Sequence, residues 1–385
     1  MGSDDSSHEN LEIEKPLKED VEVERPSFWF QFKSVMSSRT YAVFLITNWL
    51  FGIGSPVGRY VSLFLRDMLL YNYILIGYLS VFFTSLAIIA QFIGGYVGDN
   101  FDRKKLAILT MVMNGIGFLV IGSSLLANGG MGFSIFGFDI SLVLIIIFLG
   151  FSILSVTNIV GSGSTSYIYD HIPREYAGVA IGIFQTTAGF GLIGLGIITW
   201  WLWIGTPFIL TIQFGFLFGG SLFITAAIIR VFYLAPAKPV PRENKSASNL
   251  RDFLSQNNHA RKMIIAILPV FLGILILDAI SDGLYNFVNM YFLNEGLAFS
   301  VGEISLMLVV VLALSIPLSI RVGGFFDQRG GRRAIFVVYS VMPICIALLL
   351  LAPIFPYFLT PNVVNYLVWV SPVFRPLLST AFIAI

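Results

Sequence analysis

Four ionisable side chains interrupt long apolar runs of this sequence: Arg59, Asp278, Asp282 and Arg375. A charge inside a membrane-length apolar segment is expensive, so it marks a solute or ion pathway by default. Asp278 and Asp282 are four residues apart and share one helical face. Tyr285, Asn286 and Asn289 continue that stripe, which must then face water or protein. At about 1.5 Å of rise per residue, Arg59 and Asp282 fall toward one membrane face. Asp278 and Arg375 fall nearer the midplane. The spacing predicts an Arg59–Asp282 pair acting as a gate, with Asp278 and Arg375 beside a solute. Low dielectric favours a neutral carboxyl, which makes Asp278 the candidate proton carrier. The competing reading is that these charges only pin helices together, or that Arg59 snorkels to headgroups. Asn158, Ser162 and Thr165 share a face of another apolar segment and offer hydrogen bonds to a polar solute. Hydroxyls in such segments also bond to their own backbone or to a neighbouring helix.

Other chemistry finds little support. His8, His171 and His259 lie in polar stretches without metal-ligand spacing. A phosphate-cradling Gly-rich loop with its lysine is not evident, so ATP-driven pumping is not indicated. GFGLIG at 189–194 mimics a dinucleotide fingerprint, but it lies inside an apolar segment with no strand before it. The sequence calls for no cofactor, no metal and no enzyme activity. The net charge of +1 gives no bulk attraction to nucleic acid. Cys345 is the single cysteine, which excludes a disulfide framework.

The elements that must position these residues are spanning helices. Hydrophobic residues make up 56% of the 385 positions and charged residues 12%, a balance suited to lipid contact. A spanning helix needs roughly 20 apolar residues. Ten segments qualify: 41–65, 73–97, 105–127, 140–167, 177–203, 208–233, 263–291, 302–321, 334–352 and 363–385. Residues 1–38 form an acidic tail without the basic start and short apolar core of a signal peptide, and it reads as disordered. Residues 39–234 form a bundle of six helices. Residues 235–262, with Pro236, Pro239 and Pro241, form a linker, and residues 263–385 form a bundle of four.

Basic residues concentrate in alternate connections. They cluster at Lys33 and Arg39, at Arg103 to Lys105, at Arg174, across the linker, and at Arg329, Arg332 and Arg333. Arg66 is the exception. The alternation puts the amino terminus, the linker and the carboxyl terminus in the cytoplasm.

Two loops repeat a signature. The first reads GGYVGDNFDRKK from Gly94, and the second GGFFDQRGGRR from Gly323. Each has a glycine four residues before an aspartate, then a basic cluster. Each also falls between the second and third helix of its half. In this the chain resembles the major facilitator superfamily, whose motif has the form GxxxDRxGRR. Gly95, Asp99, Arg103 and Lys104 match the first copy; Asp102 and Asn100 depart from it. Gly323, Asp327 and Gly330 match the second, with Gly331 inserted before Arg332 and Arg333. STSYIYDHIPREYAG, from Ser164 and including Asp170, is similar to the family's D-x-x-P…G turn.

The resemblance implies a two-half, all-α membrane bundle in which helices 1, 4, 7 and 10 line the cavity. Arg59, Asn158, the Asp278–Asn286 stripe and Arg375 fall on those helices. It implies gating by Gly95, Asp99, Arg103, Lys104, Asp170, Gly323, Asp327, Arg332 and Arg333. The family has twelve helices, so ten suggests that the last two are missing. The expected function is secondary active transport of a small solute by alternating access, coupled to protons, by a monomer in the plasma membrane. The alternative is a transporter-derived sensor or structural partner. Glycines without a proline in helix 5 do not support a drug exporter.

Overall fold

The computed structural model of the chain describes residues 28–69, 72–127, 132–135, 138–172, 180, 183–184, 187–236, 290–296 and 299–314, together with 336, 340 and 343. A short helix α1, Phe28–Met36, precedes the first crossing. Ser38 opens helix α2, Arg39–Gly54, by accepting a hydrogen bond from the Tyr41 backbone N–H. Pro56 lacks the N–H that would continue the helix. The chain tightens there into a 3-10 turn, Ser55–Tyr60, and resumes as α3, Val61–Met68. This is the kink that Gly52, Gly54 and Pro56 foreshadow, inside one 30-residue crossing, Arg39–Met68.

Helix α4, Tyr73–Asn100, is capped by Asn72, and α5, Arg103–Ser123, by Asp102. Asp102, not the motif residue Asp99, is therefore the capping aspartate of this loop. A two-stranded antiparallel hairpin follows, β1 Gly132–Ile135 and β2 Phe138–Ser141. Its two-residue connection ends in Gly137, a turn signal inside an otherwise apolar stretch.

The fourth crossing is broken into α6, Leu142–Val156, and α7, Asn158–His171. Thr157 Oγ1 donates to the Ile153 carbonyl and Asn158 Nδ2 to the Ser155 carbonyl, so polar side chains compete for backbone acceptors at the break. Helices α8, Thr187–Trp203, α9, Phe208–Tyr233, and α10, Val301–Leu314, complete the described elements. Five described helical stretches are long and apolar enough to cross a membrane. Exposed aromatics cluster near both ends of the crossings: Tyr73, Trp200 and Trp203 at one, Phe30, Phe101 and Tyr233 at the other. That is the placement of membrane-interface belts.

Phenylalanines fill the core. Phe118 of α5 meets Phe216 and Phe223 of α9 with ring centroids 5.1 and 4.7 Å apart. Helices α4 and α7 instead cross on glycine. A Cβ at Gly94 would lie 2.8 Å from the Asn158 carbonyl oxygen and 2.9 Å from that of Ile159. Ser162 Oγ closes the contact by donating to the Gly94 carbonyl at 2.5 Å. Among the described residues, nothing lies within 4 Å of a Cβ at Gly95. The motif glycine is thus not the one that permits this crossing. Gly94→Ala is expected to lower stability by roughly 1–3 kcal/mol through overpacking. Gly95→Ala is expected to be neutral or stabilising by up to about 1 kcal/mol, the helix-propensity difference. Apparent melting temperatures in detergent separate the two, and equal losses would refute the assignment.

One guanidinium is fully enclosed. Arg230, in the last turn of α9, donates from Nε to Thr47 Oγ1 at 2.9 Å and from Nη1 to the Ala107 carbonyl at 2.7 Å. It lies 4.2 Å from the Phe44 ring centroid. It ties α2, α5 and α9 together, with no carboxylate paired to it among the described residues.

Candidate functional site

The described residues hold two ionic clusters at opposite ends of the bundle. The first lies where α3 ends. Arg66 Nε donates to Asp67 Oδ1 at 2.7 Å, and Nη1 donates to Asn294 Oδ1 at 2.7 Å and Glu295 Oε1 at 2.9 Å. The Arg66 side chain is 8% exposed and that of Glu295 43%. Residues 66 and 295 are 229 positions apart, so this contact joins elements far apart in the chain. Asn294 and Glu295 belong to a π-helical turn, Phe292–Gly296, held by Asn294 Nδ2 donating to the Phe299 carbonyl. Ser300 and Glu303 then cap α10 reciprocally.

Three hydroxyls reinforce the junction. Tyr73 donates to Glu295 Oε1 at 2.9 Å, Tyr291 to the Ser62 carbonyl at 2.7 Å, and the enclosed Tyr60 to Ser305 Oγ at 2.6 Å. All three bridge elements far apart in sequence. Among the described residues, one cation here faces two carboxylates. Glu295 is the arm that water reaches, and Arg66 the arm that burial holds.

The second cluster lies at the other end. Arg103 Nη1 donates to both carboxylate oxygens of Asp170 at 2.7 Å, with both side chains about four-fifths covered. Lys104 Nζ donates to the Leu234 carbonyl at 2.6 Å and Tyr167 to the Ala235 carbonyl at 2.8 Å. Of the first motif copy, Arg103 and Lys104 therefore bind α7 and the end of α9. Asp99 and Gly95 are exposed, and Asp99 makes no ion pair among the described residues.

The structure meets the other sequence expectations unevenly. Arg59 lies exposed in the 3-10 turn. Ser162, read as serving either a solute or a neighbouring helix, holds α4 against α7. Asn158 donates an amide hydrogen to the Ser155 carbonyl at the end of α6. Asp278, Asp282, Asn286, Gly323, Asp327, Arg332, Arg333 and Arg375 lie outside the described residues, as do nearly all of the linker and the seventh, ninth and tenth segments.

Sequence reasoning missed Arg66 and Glu295. The available signal was Arg66 itself, the one base that broke the alternation of loop charge. It also missed a group near mid-crossing. Trp49 stacks on Phe190 with centroids 4.4 Å apart. Beside it Asn48 Nδ2 donates to Thr187 Oγ1 at 3.3 Å. The Trp49 Nε1 is buried without an acceptor among the described residues. Ten residues beyond Arg39, it lies about 15 Å along the crossing, near half a bilayer core.

Comparison with known proteins agrees with this fold. A family model described as Major Facilitator Superfamily matches residues 28–383. Among solved structures, the crystal structure of a D-xylose-proton symporter aligns with a TM-score of 0.61 and 15% identity. That alignment covers 93% of this chain and 79% of the other. No curated protein matches by sequence. The glycine-tight crossing, the paired Arg103 loop and the match over nearly the whole chain agree: this multi-pass membrane protein belongs to the major facilitator superfamily.

Proposed function

We propose that the protein is a secondary active transporter that moves a small solute by alternating access, coupled to protons. The observation that carries this reading is the Arg66 junction. It is ionic, small and partly reached by water, so it can break and re-form as two halves rock about a central site. A hydrophobic seam of the same extent would hold one state. In this reading residues 39–234 and the bundle from 263 onward are the rocking halves, and residues 235–262 tether them. The loop charges support a plasma-membrane orientation with the amino terminus, linker and carboxyl terminus inside. The Arg66 cluster is then the outer gate, and Arg103–Asp170 a fixed brace of the inner end.

The solute path runs past Asn48, Trp49 and Asn158 in the first half. In the second it runs past Asp278, Asn286 and Arg375. Asp278 is the proton carrier, and Arg59 pairs with Asp282 near the outer mouth. Trp49 offers an apolar ring edge with an N–H that has no acceptor among the described residues, a combination that suits a solute bearing hydroxyl groups. Because a protein of similar fold is a D-xylose-proton symporter, D-xylose is the first solute to test.

Vesicles loaded with a pH-sensitive dye read the activity without labelled substrate. Addition of a transported solute should drive protons inward, and Asp278→Asn should abolish that signal. Solute uptake that persists in the variant with proton movement intact would remove Asp278 as the carrier. Uptake without proton movement in the native protein would leave a uniporter.

A further inference from the structure

We infer that Gly191 is the seat on which α10 closes against the first crossing, so that side-chain volume at this position sets how tightly the Arg66 junction shuts. The inference rests on the reading of that junction as a gate, and it adds a positioning residue about 18 Å inward of Trp203, near mid-bilayer.

Helices α8 and α10 meet at two levels. A Cβ at Gly302, where α10 starts, would lie 3.4 Å from Trp203 Nε1, where α8 ends. A Cβ at Gly191 would lie 3.4 Å from Leu312 Cδ1, near the other end of α10. The pairing is therefore antiparallel and runs for about 15–18 Å. Between these levels Leu195 and Ile198 of α8 share one buried apolar cluster with Ile304, Met307 and Leu308 of α10. The Tyr60–Ser305 hydrogen bond and the Arg66 cluster close the same face of the bundle toward its outer end.

The surface on which α10 rests cannot yield. A Cβ at Gly194 would overlap the Ile53 carbonyl oxygen, and one at Gly52 that of Thr187. On the other side of the crossing, a Cβ at Gly54 would lie 2.8 Å from Gly219 Cα. These neighbours are backbone, so they do not swing aside as side-chain ends do. The Pro56 kink is thereby fixed between α8 and α9. Gly191 differs from these glycines. Its Cβ would lie 3.3 Å from Pro56 Cγ and 3.5 Å from the Gly52 carbonyl oxygen, as well as against Leu312. Of the three neighbours only Leu312 is the far end of a flexible side chain, and it belongs to the element that must move. A larger residue at 191 is therefore accommodated by lifting α10, with α2 and α8 still in contact.

The reporter is Ser305→Cys in a Cys345→Ser background, read as its rate of reaction with a membrane-impermeant maleimide. Gly191→Leu should raise that rate about fivefold or more, and Gly191→Ala less than about twofold. Leu312→Ala makes room opposite position 191 and should return at least about half of the gain in the leucine variant. Gly191→Val carries the same test if the leucine variant does not fold. Folded protein with an unchanged rate overturns the inference, and so does a raised rate that Leu312→Ala does not lower. If neither large variant folds, Gly191 serves folding instead of closure, which overturns it as well. Arg66→Ala measured in parallel separates the two readings. A rate raised by Arg66→Ala and not by Gly191→Leu removes only this inference, whereas a rate raised by neither removes the gate too.

Discussion

A cysteine at position 305 reacts with a membrane-impermeant maleimide about tenfold or more faster when Arg66 is replaced by Ala than when Arg66 is present. The background is Cys345→Ser, which removes the one native thiol. Ser305 is buried and accepts the Tyr60 hydroxyl, so a thiol there is reached only when the junction opens. Arg66 donates to two side chains across that junction, Asn294 and Glu295, and to Asp67 beside it. Its loss leaves Asp67 and Glu295 as facing carboxylates without their cation. Truncating one partner of a buried pair costs several kcal/mol, but Glu295 is partly solvated, which discounts the figure. About 1–3 kcal/mol remains, or a 5- to 150-fold shift between closed and open states. The double variant Arg66→Glu, Glu295→Arg places one base between two carboxylates again. It should recover at least half of the lost protection, whereas either reversal alone should open the junction further. Equal reactivity in all five proteins would mean that the cluster is not a gate.

Much of the scaffold was legible from sequence because membrane helices announce themselves. Apolar length is a local property, and the bounds at Tyr73, Phe208 and Tyr233 follow from it directly. The motif loop was legible for the same reason: Arg103 and Lys104 stand in a short polar interval with few alternatives. What sequence could not supply was pairing at a distance. Arg66 looks like an ordinary misplaced base until Glu295 is seen against it, and nothing local connects positions 229 apart. The glycine of the close crossing was not legible, because GG at 94–95 offers two candidates and only helix rotation decides between them. Ser162 stayed undecided between solute and neighbouring helix for a related reason. A face shared with Asn158 is computable, but which neighbour covers that face is not. The break at Thr157 escaped because an apolar run records hydrophobicity, while the break arises from hydroxyl and amide groups bonding to backbone.

Arg230 gives the last prediction, and its sign runs against chemical similarity. Arg230→Lys is expected to lower the apparent melting temperature in detergent by about 5 °C or more, and Arg230→Met by clearly less. The native guanidinium offsets its desolvation with two charge-assisted hydrogen bonds, to Thr47 and Ala107, and with the Phe44 face. Such bonds contribute about 1.5–3 kcal/mol each and a desolvated cation–π contact about 2 kcal/mol. An effective burial penalty of several kcal/mol opposes them. Lysine keeps that penalty as a compact and more strongly hydrated charge, and it lacks the planar fork that reaches two acceptors at once. A net loss of about 2–4 kcal/mol follows, and each kcal/mol moves the midpoint of a unit this size by roughly 2–4 °C. Methionine gives up the bonds but also the penalty, and its flexible stem fills the space beside Phe44. If lysine instead preserves stability and methionine does not, then charge at position 230 matters more than geometry. An anionic partner for it must then lie outside the described residues.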